Sequence, residues 1–502
     1  MMDAGFFGQL FLESLGLWWV IVPAVLLGIL VGAVPGFSAQ NTLIILLPVT
    51  LNLDVNVAMA FMVSLYCATH LGGGIPAILV NMPGTGGAAA TTLDGYQMTK
   101  NGQAQQALVL CFVASTVGGI VTTLATLAFL PILGQMGLYL RSVEMVVVML
   151  FGLVLIAAIA ARNLLKALIA GFFGLLIGVI GTDHIYGTPR ATFGFIELYD
   201  GVPLVAALIG LFAISEALVM LEQEMVVRQD AVERQRTKRW EDTIDGLRLS
   251  VRYWWETVWT AFVGLFIGIV PGAGASIAAF VAYQWSRMFS KTPEKYGAGH
   301  PQGVIAPESA NNGVTSGSLV PLMAIGVPGG STAAVMMIVL QYNGIVLGPR
   351  LFMESPGLAN GVFMMMLVSY IFMLFTILPL ARYMSEVVLI PTKYLVPLIL
   401  GLTTVGAFAN REYVFDMGLA LLFGVIGYIA RKTGYHVTAI LIGVILGPLF
   451  EGYLLRALRI GQGDVMVLFS SSIGNVLWVL LALSIIIPLW RERTQGRAEA
   501  AA

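Results

Sequence analysis

Two polar clusters interrupt an otherwise apolar chain. The first runs Asn81-Met82-Pro83-Gly84-Thr85-Gly86-Gly87 and continues through Thr91-Thr92-Leu93-Asp94-Gly95. The second comprises Pro307-Glu308-Ser309-Ala310-Asn311-Asn312 and then Gly326-Val327-Pro328-Gly329-Gly330-Ser331-Thr332. Two further Pro-Gly pairs, Pro35-Gly36 and Pro271-Gly272, precede short apolar runs, and Ser276 follows the second. A Pro-Gly pair ends a helix and leaves N–H and C=O groups without helical partners. Freed helix N-termini present N–H groups and a positive dipole end to anions. Freed carbonyls, amides and carboxylates present oxygens to a cation. On this chemistry the substrate-binding candidates are Gly84, Thr85, Ser276, Gly329, Ser331 and Thr332. The cation-binding candidates are Asn81, Asn311, Asn312, Asp94 and Glu308. The competing reading is close helix packing by small residues, with capping or loop roles for the two acids.

Other ionisable residues are weaker candidates. Asp183, Glu216 and Asp416 lie near expected helix ends, and Arg162 and Arg411 each close a span. The arginines fit interface anchors at a cytoplasmic edge better than substrate ligands. His70, His184, His300 and His436 are scattered without metal-ligand spacing. His70, just before Gly72-Gly73, could face a cavity, but packing fits it better. No phosphate loop of the Gly-x4-Gly-Lys-Ser/Thr type exists, so direct ATP coupling is not expected. No metal or organic cofactor is expected either; a coupling ion, Na+ or H+, is.

The elements that position these residues must be membrane helices. Of 502 residues, 58% are hydrophobic and 11% charged, against about 25% charged in soluble proteins. Mean hydropathy is +0.89. One or two globular cores cannot hide that much apolar surface. A cytosolic enzyme, a nucleic-acid binder and a disordered chain are thereby excluded. The 26 basic and 27 acidic residues point to no polyanionic partner. Cys67 and Cys111 lie in apolar runs and fit packing residues, not a disulfide framework. The expected fold is an all-α polytopic membrane protein with about 11–14 membrane segments, re-entrant or broken helices included, at about 20 residues per crossing. No signal peptide is expected, because the first basic residue is Lys100.

The hydrophilic stretch 223–252 divides a first membrane repeat, 1–222, from a second, 253–490, and 491–502 forms a tail. Seven arginines and lysines in that stretch, with Arg491, Arg493 and Arg497, place linker and C-terminus in the cytoplasm. The N-terminus then falls outside. The halves match in detail. Gly28, Gly32 and Pro35-Gly36 recur 236 positions on as Gly264, Gly268 and Pro271-Gly272. Gly72, Pro76, Pro83-Gly84 and Ala88-Ala89 recur 245 positions on as Gly317, Pro321, Pro328-Gly329 and Ala333-Ala334. The extra nine residues fall in 287–301. Pro131 and Pro379, and Gly152 with Arg162 and Gly401 with Arg411, extend the match. Helix breaks at corresponding places in two halves are the signature of a secondary transporter, with its site where the repeats meet. Inverted topology is the general expectation for such carriers.

The runs Asn81-Met82-Pro83-Gly84-Thr85 to Asp94-Gly95-Tyr96, Ala306-Pro307-Glu308-Ser309-Ala310-Asn311-Asn312, Gly344 to Gly348-Pro349 and Leu446-Gly447-Pro448 to Glu451 resemble the large membrane subunit of the tripartite tricarboxylate transporters. The resemblance covers nearly the whole chain. It implies an ion-gradient-driven uptake permease of the bacterial inner membrane. Its implied partners are a small membrane subunit, a periplasmic solute-binding protein and an organic carboxylate: a tricarboxylate, dicarboxylate or aromatic acid. Two departures are visible. A frequent Gly-Gly-Ser is here Gly72-Gly73-Gly74, and a frequent Ala-Ala-Asn-Asn is here Ser309-Ala310-Asn311-Asn312.

Two other classes compete. An intramembrane enzyme would need a paired nucleophile and base within the spans, and the sequence offers none. A channel fits two halves with matched breaks less naturally than a carrier does. Saturable, gradient-driven uptake separates the two.

Overall fold

A computed structural model describes residues 4–34, 38–137, 140–160, 164–182, 187–222, 240–380, 392–409 and 411–499. The break at Pro35-Gly36, Arg162, Asp183, His184 and linker residues 223–239 lie outside the described residues. The chain is a succession of helices. The first seven are α1 (Ala4–Gly16), α2 (Trp18–Gly32), α3 (Ala39–Thr50), α4 (Val55–Gly72), α5 (Gly74–Val80), α6 (Thr92–Lys100) and α7 (Ala104–Gly137). Then come α8 (Ser142–Ala160), α9 (Leu164–Gly178) and α10 (Leu204–Glu222), the last with a π-helical stretch over Ile209–Ile214. The region after the linker holds α11 (Trp240–Arg252), α12 (Trp254–Ile269), α13 (Gly274–Phe289), α14 (Gln302–Ile325), α15 (Ser331–Tyr342) and α16 (Pro356–Leu380). The last four are α17 (Thr392–Ala409), α18 (Val414–Thr433), α19 (Val437–Ile460) and α20 (Ser472–Glu499).

Six of the described spans are long and apolar enough to cross a membrane, and α1 with α2, bent by 66°, makes a seventh. Shorter apolar helices, α3, α9, α12 and α15 among them, accompany them. Such lengths suit broken or re-entrant segments better than single spans. The protein is a multi-pass helical membrane protein, as its composition requires.

The chain forms two compact units, and each draws on both sides of the linker. One comprises 1–134 and 220–398, the other 135–219 and 399–502. In the first unit, α2 crosses α4 and α12 crosses α14 at glycines. A Cβ on Gly32 would lie 2.5 Å from the Thr69 carbonyl oxygen, and one on Gly264 would lie 2.2 Å from that of Ala310. The return contacts are Gly72 on Ile29 and Gly317 on Leu265, at 2.6 and 2.5 Å from the carbonyls. Close approach of this kind gains dispersion contact where lipid offers no hydrophobic drive. For these glycines, packing is the sufficient explanation. α11, at the end of the linker, lies on the start of α7: Gln105 donates to Thr243 at 3.1 Å, and Gly246 abuts Val109.

The second unit is built on two similar crossings. Gly174 and Gly178 of α9 meet the carbonyls of Ile440 and Val444 of α19, while Gly443 and Gly447 meet those of Gly171 and Leu175. Gly210 of α10 and Gly427 of α18 make the other pair of approaches. Three ion pairs lie within the unit among the described residues. Arg190 pairs with Glu451, Arg431 with Glu216, and Arg411 chelates the buried Asp416 at 2.6 and 2.9 Å. Arg411 also donates to the Glu197 carbonyl. An arginine with both its carboxylate and a carbonyl in hand acts as a fastener of the loop before α18.

Candidate functional site

The helix breaks lie in the first unit. α5 ends at Asn81, whose backbone is left-handed (φ 60°), and α14 ends at Gly326, also left-handed (φ 73°). Asparagine is one of the few side-chain-bearing residues that adopt this conformation readily. The type of residue 81 is thus accounted for by its backbone, and its side chain is exposed. Beyond each cap the chain turns back through its Pro-Gly pair in the same way. Met82 N–H donates to the Pro76 carbonyl and Val327 N–H to that of Pro321, both at 3.3 Å. Gly84 N–H then donates to the Gly73 carbonyl at 3.0 Å, and Gly329 N–H to that of Ser318 at 3.2 Å. Each bond in one hairpin has its counterpart 245 positions on. Gly84 and Gly329 are glycines because the returning chain presses on the preceding helix. A Cβ at 84 would lie 2.2 Å from the Gly32 carbonyl oxygen, and one at 329 would lie 2.6 Å from that of Ser318.

The tips of these hairpins meet the helices that follow the other Pro-Gly pairs. The turn Gly86–Ala88 reaches α13, where the Ser276 hydroxyl stands 2.5 Å from where a Gly86 Cβ would be. Ser331, first residue of α15, donates its hydroxyl to Gln40 Oε1 of α3. Shifting Gly86 forward by 245 gives Ser331, and shifting Ser276 back by 236 gives Gln40. The two contacts thus join positions that correspond at the displacements of 245 and 236. Gln40 was not among the candidates, although its alignment with Ser276 would have marked it. Gly272 N–H also donates to the Gly329 carbonyl at 2.8 Å, joining the two breaks of the second half. Of the remaining predicted residues here, Thr332 is half-buried on α15.

Beneath the tips, α4 crosses α14 along a polar seam. Tyr66 and Ser318 share a 2.8 Å hydrogen bond between hydroxyls. Thr315 bonds the Tyr370 hydroxyl of α16 at 2.7 Å, and that hydroxyl also reaches the Asn312 carbonyl at 3.3 Å. His70 Nδ1 lies 2.7 Å from Asn311 Oδ1, and Asn311 Nδ2 donates to the His70 carbonyl at 3.2 Å. His70 thus combines packing against the Tyr66 ring with a polar bond into the seam. Gly87 sits directly on Asn311, with room for no side chain. Both amide atoms of Asn312, Asn41 Oδ1 and the Thr85 hydroxyl are buried without a partner. A buried polar atom left unpaired costs about 1–3 kcal/mol, so such groups ask for a ligand or water.

The two carboxylates have different surroundings. Glu308 is fully buried; Oε1 accepts the Thr91 hydroxyl at 2.5 Å and Oε2 that of Ser115 at 2.9 Å. Gly74 abuts it: a Cβ there would lie 2.9 Å from Oε1 and 2.5 Å from Cys111 Sγ. That crowding accounts for the third glycine of Gly72-Gly73-Gly74. Ser309, the other departure, donates to the Thr257 carbonyl of α12 at 2.6 Å. Asp94 is instead filled by backbone donors. Its Oδ1 accepts from the N–H groups of Gly297, Gly299 and His300 at 2.7–2.9 Å, and Oδ2 accepts the Tyr283 hydroxyl at 2.9 Å. It clips the loop 290–301 onto α6. In that loop the His300 ring stacks on Tyr296 (4.8 Å, 13°), and burial lowers the imidazole from its ordinary value. Burial likewise pushes the Tyr296 hydroxyl up to about 12.

Helix breaks from both halves, brought tip to helix around a buried polar seam in a multi-pass bundle, define a membrane transporter component. The family model described as the tripartite tricarboxylate transporter TctA family matches residues 17–442. The chain belongs to that family. It is 31% identical over 478 residues to an uncharacterized 52.8 kDa protein of the TAR-I ttuC' 3' region of Agrobacterium vitis, covering 95% of this chain and 94% of that one. It is 30% identical over 226 residues to a protein of the TAR-II ttuC' 3' region of the same organism, covering 45% of this chain and 93% of the relative. No solved structure matches.

Proposed function

We propose that this chain is the large, solute-translocating subunit of an ion-gradient-driven uptake system for organic carboxylates in a bacterial inner membrane, with its C-terminus cytoplasmic and its N-terminus periplasmic. It works with a small membrane subunit and a periplasmic binding protein, and has no enzymatic step. Family membership supports the class. The observation that carries the reading is the exchange-related pair of contacts, Gly86 with Ser276 and Ser331 with Gln40. Contacts that recur with partners swapped are what a two-fold relation between equivalent parts produces. They support two structural repeats, and the carrier prior favours the inverted arrangement.

The N–H groups of Ser331, Thr332 and Ala333 have no acceptor within α15, because the first helical bond runs from Ala334 to the Gly330 carbonyl. They face a solute carboxylate with the positive end of the helix dipole behind them. Thr85, Ser276 and the Gln40 amide complete the polar lining. Asn311, Asn312 and Glu308 serve the coupling ion, Na+ or H+. Joint occupation by solute and ion permits the tips to move between outward- and inward-open states. Asp94 acts as a clip, outside this set.

The test is uptake of radiolabelled citrate, succinate and benzoate by cells or proteoliposomes carrying the three-part system. Wild type should show saturable, gradient-driven uptake of at least one. Asn312→Ala and Thr332→Ala should each reduce it tenfold or more at unchanged membrane insertion. Normal uptake in both variants would sink the site assignment.

A further inference from the structure

Two buried carboxylates flank the breaks, and only one has chemistry left to do. We infer that Glu308 is the protonatable coupling residue, and that its protonation state sets the hold of the Gly86–Thr92 tip on α14. This proton site presupposes the carrier reading above and specifies its ion.

Thr91 precedes α6 at the base of the first tip, and its hydroxyl is bound to Glu308 Oε1 at 2.5 Å. Ser115 of α7 holds Oε2 at 2.9 Å. Among the described residues Glu308 makes no ion pair. An isolated buried carboxylate without a cation is costly unless it can become neutral. With the carboxylate charged, Thr91 and Ser115 donate to it and the tip is drawn onto α14. With it protonated, a carboxyl O–H donates to one hydroxyl, which turns to accept, and charge-assisted bonds become neutral ones of about half the strength, so the hold on the tip loosens. The proton comes from the outer aqueous phase and leaves to the inner one. Only the carboxyl O–H bond forms and breaks.

The asymmetry of the halves agrees. The position 245 before Glu308 is Val63, and the position 245 after Thr91 is Met336, both buried and apolar. The polar latch therefore holds one tip only, and a single proton suffices. Other ionisable groups face Glu308 differently. Cys111 of α7 lies against the same glycine, and His70 of α4 reaches it only through Asn311. Asp94 on α6 and Tyr283 on α13 are engaged with each other, and Glu256 on α12 is held by Gln302, near the start of α14.

Two measurements decide. The first is pH-difference infrared spectroscopy of the purified protein, which needs no solute. Wild type should show a titrating carboxyl C=O band that Glu308→Gln removes, and Ser115→Ala should displace its midpoint. A band unchanged in Glu308→Gln, or no titrating band in wild type, overturns the proposal. The second is uptake of whichever radiolabelled acid wild type carries, driven by a pH gradient or a sodium gradient. Glu308→Gln should lose pH-driven accumulation by tenfold or more, while counterflow exchange falls by less. Accumulation driven by sodium alone overturns the proton assignment and leaves the carrier reading standing. Absence of uptake in wild type defeats the carrier reading, and the infrared result still judges Glu308.

Discussion

Asp94 and Glu308 illustrate how differently one functional group can be used. Both are buried, both lie beside a Pro-Gly break, and by residue type both are ion ligands. Four donors surround Asp94, three of them backbone amides of one loop. Exchanging its carboxylate for an amide leaves a single acceptor and aims two hydrogens at donors. Asp94→Asn should therefore destabilise the protein by about 2–4 kcal/mol, read as a lower melting temperature in detergent and faster proteolysis within 290–301. The same loop is acid-sensitive through His300. Burial lowers the His300 imidazole, so the unfolded chain takes up its proton first as pH falls. Stability should be flat above the ordinary histidine value of 6.5 and decline below it, and His300→Gln should flatten that decline in a pH series of melting curves. At this scale the sequence identified the polar residues but not their tasks. Asn81 caps α5 with a φ of 60°, a backbone task that its residue type alone does not announce. Gln40 went unnoticed because a lone glutamine after a Pro-Gly pair carries no local signal.

Elements here are held at fixed separations by glycines whose spacing is visible in the chain. α12 and α14 approach until a Cβ on Gly264 would lie 2.2 Å from a backbone oxygen. Backbone cannot swing aside as a side chain can, so Gly264→Ala should force the helices apart at a cost of about 1–3 kcal/mol. Gly418→Ala, on the open face of α18 with nothing within 4 Å, should instead be neutral or stabilising by up to about 1 kcal/mol through helix propensity. Opposite shifts in detergent melting temperature would verify the pair. Helix existence was legible, because apolar runs of near-spanning length have no other stable form in lipid. The bend between α1 and α2 and the π-helical stretch in α10 were not, because neither leaves a residue pattern distinct from its neighbours.

Over the whole molecule, the three-part system proposed above predicts that uptake needs parts outside this chain. Co-expression with the small membrane subunit should yield a complex that survives affinity purification. Uptake at low solute concentration should fall at least tenfold when the binding protein is omitted, a loss measurable in right-side-out vesicles. Retained high-affinity uptake by this chain alone would remove the need for partners. The division into compact units also belongs to this scale. Each unit takes helices from before and after the linker, a connectivity that composition cannot reveal, because apolar helices are interchangeable in hydropathy.

The sequence by itself determined the solvent of this protein, the approximate places of its helices, and the four Pro-Gly breaks with their displacements of 236 and 245. Those follow from local rules: apolar length, missing backbone donors, and glycine spacing. Only the tertiary structure decided which break faces which. It set Ser331 on Gln40 and Gly86 against Ser276, filled Asp94 with backbone amides, and left Glu308 between two hydroxyls. Pairing of this kind depends on contacts between residues 189 to 291 positions apart, and no local pattern encodes the partner of a polar group.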